Sequence, residues 1–261
     1  MPLAVTHSAL SDIGRRRSHN EDRCCTDTTL GLFLVCDGMG GSKAGEIASG
    51  LAVETIHRHI NEASQNAAFP MIGQSDPTIS PSGNRLLSAI CDANRVIHRE
   101  GHKNPDWAGM GTTVVAVLLT NRLMSFAHVG DSRLYLVRAR AIQPLTTDHS
   151  WVAEQVRAGL MTEAEAEQSP RRNLVTRALG VAPEVDITIG EAELQEGDRL
   201  LLCSDGLTKG VETARLLNVL THTDDMIGAT RRLVALANEA GGDDNTTVIT
   251  IAVHEATEQP M

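Results

Sequence analysis

Four short apolar runs in this chain each end or begin on an aspartate, and this limits the fold more than any other feature. Residues 31–36 run straight into Asp37, and 200–203 reach Asp205 through one serine. Residues 123–129 reach Asp131 through one glycine, and Asp244 stands just ahead of 246–253. Glu21 and Asp22 follow an early strand-like segment. Runs of this length, bounded by turn residues, read as strands. Carboxylates at several strand ends can meet at one point. Gly38 and Gly206 follow directly on Asp37 and Asp205, and a residue without Cβ allows a close backbone approach. A single Asp-Gly is most simply a turn, but the whole group is hard to explain as turns alone. Hard oxygen ligands of this kind suit Mg2+ or Mn2+.

Strands are expected over 30–36, 112–119, 123–129, 134–137, 185–189, 199–203 and 246–253. The close succession within 112–137 implies antiparallel hairpins, with Asn121-Arg122 and Gly130-Asp131-Ser132 as turns. Helical periodicity appears in Ala48, Ala52, Ile56 and Ile60, and again in Leu86, Ile90, Asn94 and Ile97, closed by Gly101. A third stripe, Met226, Thr230, Leu233, Ala237 and Ala240, is closed by Gly241-Gly242. Residues 148–172 read as a short helical excursion ending at Pro170. Residues 61–83, with Pro70, Pro77 and Pro81, read as a mobile loop within one domain spanning 1–261. Strand groups separated by helix pairs predict an α+β layered fold, sheets inside and helices outside.

Aromatic residues are only 2% of the chain, so the core must be built from Leu, Val, Ile and Ala. A formal net charge of −10 makes nucleic acid and anionic membranes poor partners. The apolar runs are too short to span a membrane, and residues 1–10 lack the pattern of a signal peptide. Five cysteines without a CxxC motif read as reduced thiols, with Cys36 and Cys203 in buried strands. These features together predict a cytoplasmic protein. His57 and His59 lie on different helix faces and make poor co-ligands. His128 reads as a packed strand residue. His149 could approach substrate, or Asp148-His149-Ser150 could be a turn or helix cap. No P-loop motif is present.

The order of motifs resembles the metal-dependent protein phosphatase family, type 2C class. Ser11-Asp12-Ile13-Gly14 with Arg17-Ser18-His19-Asn20-Glu21-Asp22 is similar to its opening motif, and Asp37-Gly38-Met39-Gly40-Gly41 to its second. Gly45-Glu46-Ile47-Ala48-Ser49, Gly111-Thr112-Thr113, Val129-Gly130-Asp131-Ser132-Arg133 and Asp148-His149-Ser150 follow in order. Thr176-Arg177-Ala178-Leu179-Gly180, Cys203-Ser204-Asp205-Gly206-Leu207 and Asp244-Asn245-Thr246-Thr247-Val248 complete the set. The resemblance runs from about Thr6 to Val253.

The resemblance implies a four-layer α-β-β-α sandwich, two antiparallel sheets flanked by helices, with metals in a cleft at one edge. Asp22, Asp37, Asp205 and Asp244 would bind two bridged Mn2+ or Mg2+ ions, Gly38 through its carbonyl, with Glu21 holding a water at the metals. Such ions, about 3.5–4 Å apart, activate water and clamp an in-line displacement. Asp131 with Asp205 matches a third, weaker ion. Arg17 matches the phosphate-binding arginine; alone, Arg15-Arg16-Arg17 would read as a solvated basic run. Met39 stands where many eukaryotic relatives carry histidine as a proposed general acid, so the proton donor is left open. The implied substrates are phosphoserine and phosphothreonine proteins, the implied counterpart a bacterial serine/threonine kinase, and the expected state a monomer. Two rivals are a phosphoesterase for small metabolites and a non-catalytic binding module of the same fold.

Overall fold

A computed structural model describes residues 3–40, 44–66 and 68–256. Gly41 of the second motif and Ala67 of the expected loop lie outside the described residues. The chain runs β1 (Leu3–Asp12), β2 (Asp22–Asp27), β3 (Leu32–Met39), α1 (Ala44–Gln65), α2 (Pro81–Lys103), β4 (Gly111–Thr112), β5 (Val114–Thr120) and β6 (Leu123–Val129). It continues through β7 (Arg133–Arg138), β8 (Ala141–Pro144), α3 (Trp151–Arg157), α4 (Glu163–Gln168), β9 (Thr188–Glu193) and β10 (Arg199–Cys203). The last elements are α5 (Asp205–Thr208), α6 (Thr213–His222), α7 (Met226–Glu239) and β11 (Thr246–Glu255).

One sheet has the order β1-β11-β10-β7-β8, the other β2-β3-β5-β6-β9 with β4 on β3, and their pairings are antiparallel. Central strands are apolar on both faces because both faces are covered. Leu32, Leu34 and Cys36 of β3 pack with Ala52, Ile56, Leu86 and Ile90 of α1 and α2. Phe33 and Val35, pointing the other way, meet Leu200, Leu202, Ile249 and Ile251 of the opposite sheet. Leu201, Cys203 and Val248 face Leu216, Leu233 and Leu236 of α6 and α7. The four expected layers are present. Truncating Phe33, fully buried between the sheets, would cost about 3–5 kcal/mol.

Several local expectations change. β6 and β7 form no hairpin: β6 pairs with β5 and β9, while β7 pairs with β10 and β8 in the other sheet. Gly130-Asp131-Ser132 therefore carries the chain from sheet to sheet. The strand expected at 185–189 is β9, shifted to Thr188–Glu193. α2 runs past Gly101 to Lys103, with Gly101 packed closely on the Trp107 carbonyl and Met110. The irregular stretch expected at 61–83 is shorter, because α1 reaches Gln65 and α2 starts at Pro81, capped by Ser80. Its end is tied down where Ser80 donates to Glu191 and Asn84 bonds Asp76 in both directions.

Candidate metal centre

Every acidic candidate lies at the same end of the sandwich. Antiparallel pairing sets Asp22, the first residue of β2, opposite Asp37 near the end of β3. A Cβ on Gly38 would run into the carbonyl of Gly45, which is how β3 lies against the start of α1. The Gly38 amide donates to the Glu21 carbonyl (3.2 Å). Asp37 is fixed through its backbone: its amide donates to Thr113 Oγ1 (3.0 Å), and its carbonyl accepts from the Thr113 amide and Thr112 Oγ1 (2.8 Å each). This wall belongs to the β2-β3 sheet.

The other wall comes from β10 and β11. Asp205 opens α5, and a Cβ on Gly206 would strike the carbonyl of Asn245, so the two Asp-containing motifs pack directly together. Lys209, one helical turn on, places Nζ 2.5 Å from Asp205 Oδ2 and 3.1 Å from Asp244 Oδ2. Arg17 Nε lies 2.9 Å from Asp244 Oδ1, with half of its side chain exposed. Ser204 joins the walls by donating from Oγ to Asp22 Oδ2 (2.7 Å). Asn245 accepts from the Glu21 amide (2.8 Å) and donates to the carbonyls of Ile13 and His19, fixing the loop that carries Arg17.

Two carboxylate oxygens, Asp22 Oδ1 and Asp205 Oδ1, are buried with no hydrogen-bond partner among the described residues. Leaving a buried charged acceptor unpaired is costly. Burial first, then the repulsion of Asp22, Asp205, Asp131 and Asp244, pushes the Asp37 carboxyl well above the usual range. Burial likewise raises Asp22 to about 6 against the pull of Ser204, and raises Glu21. Asp131, enclosed at the sheet-to-sheet crossing, is raised to about 7 by burial and then by Asp205 and Asp148. Such a cleft is short of positive charge. An all-oxygen set with orphaned acceptors on both walls fits Mg2+ or Mn2+. Among the described residues no three Asp, Glu, His or Cys side chains already close on one point as a finished cage. Lys209 stands between Asp205 and Asp244 instead.

Arg17, Glu21, Asp22, Asp37, Gly38, Asp131, Asp205 and Asp244 thus all line or adjoin this end. Sequence reasoning gave Ser204, Thr113 and Asn245 no role beyond the motifs that contain them, because their partners become neighbours only on folding; Lys209 was passed over although it stands one helical turn after Asp205. Of the discounted histidines, His57 bonds Asp27 (2.8 Å) and His59 is buried beside Ser88 and Phe69. His128 and His149 are buried and stacked on each other. Ser150 caps α3, and Asp148 accepts a two-pronged bond from Arg133. All five cysteines are free, and no helix among the described residues is long and apolar enough to cross a membrane.

Known proteins share both sequence and shape with this chain. The family model described as Protein phosphatase 2C matches residues 14–245. Protein phosphatase PhpP of Streptococcus pneumoniae is 32% identical over 251 residues, covering 95% of this chain and 97% of that protein. Serine/threonine protein phosphatase PstP of Mycobacterium tuberculosis is 34% identical over 250 residues, 95% of this chain but 45% of PstP. The crystal structure of the PstP catalytic domain in complex with two manganese ions superimposes with a TM-score of 0.83 at 33% identity, covering 97% of this chain and all of that one. The chain belongs to the protein phosphatase 2C family of enzymes.

Proposed function

We propose that this protein phosphatase hydrolyses phosphoserine and phosphothreonine in proteins, using two Mn2+ or Mg2+ ions held by Asp22, Asp37, Asp205, Asp244 and the Gly38 carbonyl. The observation that carries this reading is the pair of buried, unpartnered oxygens, Asp22 Oδ1 and Asp205 Oδ1, one on each wall of the cleft. Two divalent cations held there would supply Lewis acidity and lower the pKa of water toward neutral pH. The chain's own residues do the rest. Asp37, whose backbone is pinned by Thr112 and Thr113, lies close enough to Asp22, Asp205 and Asp244 to feel their charge and would share with them in holding the ions. Glu21, beside Gly38 and Gly45, would orient water. Ser204 is fully buried and bonded to Asp22, which suits an orienting role and leaves no exposed hydroxyl there to act as nucleophile. Water attack on phosphorus without a phospho-enzyme is the consistent route.

Arg17 would leave Asp244 to receive the substrate phosphate, for which its guanidinium fork is suited. Asp131 with Asp205 would hold a third, weaker ion. Met39 carries no proton for the leaving alcohol. The protein would act as a cytoplasmic monomer opposing a bacterial serine/threonine kinase. The test is turnover of a phosphothreonine peptide by metal-stripped protein. Mn2+ should restore activity, EDTA should abolish it, and peptides should be preferred over small phosphate esters. Full turnover in excess EDTA would exclude the two-metal route. Equal or better use of small metabolite esters would favour the metabolite phosphoesterase.

A further inference from the structure

Asp131 lies in a stretch of the cleft that no strand pairing holds. Val129 is the last paired residue of β6 and Arg133 the first of β7, so residues 130–132 cross between sheets unsupported by a ladder. Gly130 there adopts φ +103°, a conformation that favours glycine. His149 holds both of its backbone groups. Its backbone amide donates to the Gly130 carbonyl (2.9 Å), and its ring Nδ1 accepts from the Gly130 amide (3.2 Å). An accepting Nδ1 fixes the tautomer with the proton on Nε2, which donates to Thr188 Oγ1 (2.9 Å) at the start of β9. The ring stacks on His128 at 4.5 Å and 17°, and the two residues are 3% and 1% exposed. On the far side of Asp131, Ser132 Oγ shares a hydrogen bond with Thr113 Oγ1 (2.7 Å), the same atom that fixes the Asp37 amide.

We propose that His149 is a positioning residue for Asp131: by gripping both backbone groups of Gly130 it sets where the Asp131 carboxylate stands in the cleft. His149 is buried, and its hydrogen bonds among the described residues go to Gly130, Thr176 and Thr188, not to a carboxylate. It is also the root of the α3–α4 excursion, since its carbonyl accepts from the Thr176 amide (2.8 Å) and its neighbour Ser150 caps α3. The placement of Asp131 is therefore tied to the base of that excursion. The inference rests on reading Asp131 as ligand to a weaker third ion.

The experiment compares His149→Phe, His149→Asn, Asp131→Asn and the double variant His149→Phe/Asp131→Asn. Each is titrated with Mn2+ by calorimetry and assayed for kcat and KM on a phosphothreonine peptide across Mn2+ concentrations. Phe keeps the ring and its stack but loses the acceptor; Asn loses the ring but offers Oδ1 where Nδ1 stood. His149→Phe should move the weaker Mn2+ event about tenfold higher, the scale of one lost buried hydrogen bond. The two tighter events and KM should be unchanged, and excess Mn2+ should restore kcat. His149→Asn should resemble the parent, and His149→Phe should add nothing to Asp131→Asn. A merely structural ring would reverse the ranking of Phe and Asn, which overturns the proposal, as would independent, multiplying effects in the double variant. If Asp131→Asn itself leaves metal binding and turnover unchanged, the reading of Asp131 as a ligand fails and the positioning role falls with it. If Asp131→Asn is impaired while His149→Phe is not, only the positioning role fails. Should His149→Phe not fold, Thr188→Val, which removes only the Nε2 partner, must shift the weaker event in the same direction; no shift overturns the proposal.

Discussion

The two walls of the cleft carry the same side chains in opposite electrostatic states. On the β2-β3 wall, Asp22 and Asp37 face each other across adjacent strands, and no basic residue among the described ones is bonded to either carboxylate. Burial and mutual repulsion hold both carboxyls high. On the β10-β11 wall, Lys209 bonds Asp205 and Asp244, and Arg17 bonds Asp244. Burial raises Asp205 as well, but there Lys209 opposes it. Among the described residues one wall carries no counter-charge at its carboxylates, while on the other Lys209 and Arg17 already pair with the carboxylates. The lesson is that a cleft built for cations shows its demand where the fold supplies no counter-charge.

Removing a carboxylate from either wall should have the largest effect. Asp37→Asn and Asp205→Asn should each lower kcat on a phosphopeptide by about a thousandfold or more, well beyond the ~10–100-fold typical of a residue that only orients a ligand. If Asp205→Asn keeps measurable activity while Asp37→Asn does not, the second wall is an accessory and the two do not act as a pair. Arg17→Ala should come next. Loss of one charge-assisted phosphate contact predicts a fall in kcat/KM of about 10–100-fold. Mn2+ stoichiometry should not change, and a lost metal would mean Arg17 supports the wall itself.

The uncompensated wall also predicts a pH signature. A carboxyl whose pKa is raised on folding stabilises the fold fully below its unfolded value and ceases to as pH rises through the folded value. For Asp22 and Asp131 that window runs from near 4 to about 6 and about 7. Metal-free protein should therefore lose stability between pH 5 and pH 8. Mn2+ should raise the melting temperature by about 5 °C more at pH 8 than at pH 5. A metal-induced shift independent of pH would show that these carboxyls are already ionised. The smallest effect belongs to the compensated wall. Lys209→Met should tighten Mn2+ binding by about threefold, the scale of a partly exposed ion pair. Weaker binding would mean that Lys209 helps to organise the ligands and does not compete with the ion.

Much of this molecule was legible from apolar runs and the acids beside them. The central strands β3, β5, β6, β10 and β11 were found because burial on both faces makes them continuously apolar. The edge strands were not. β1 was sensed without bounds, β2 and β8 were passed over, and β9 was placed three residues early. Each lies at the rim of a sheet, and none is buried along its length as the central strands are. α6 was missed as well, although its Leu216 and Leu220 are fully buried against the sheet.

The sequence by itself determined which residues could bind a cation, because carboxylates beside strands and their family order are local facts of the chain. Only the tertiary structure decided how they are held. The β6–β7 connection looks like a hairpin turn in sequence, since three residues between two apolar runs fit one. Pairing across the sandwich makes it a crossing between sheets and puts Asp131 in the cleft. The supports follow the same rule. Ser204 reaches Asp22 across 182 positions, Asn245 reaches Glu21 across 224, and Thr113 reaches Asp37 across 76. Hydrogen bonds of that separation leave no period in a sequence, because they exist only after the two sheets have packed.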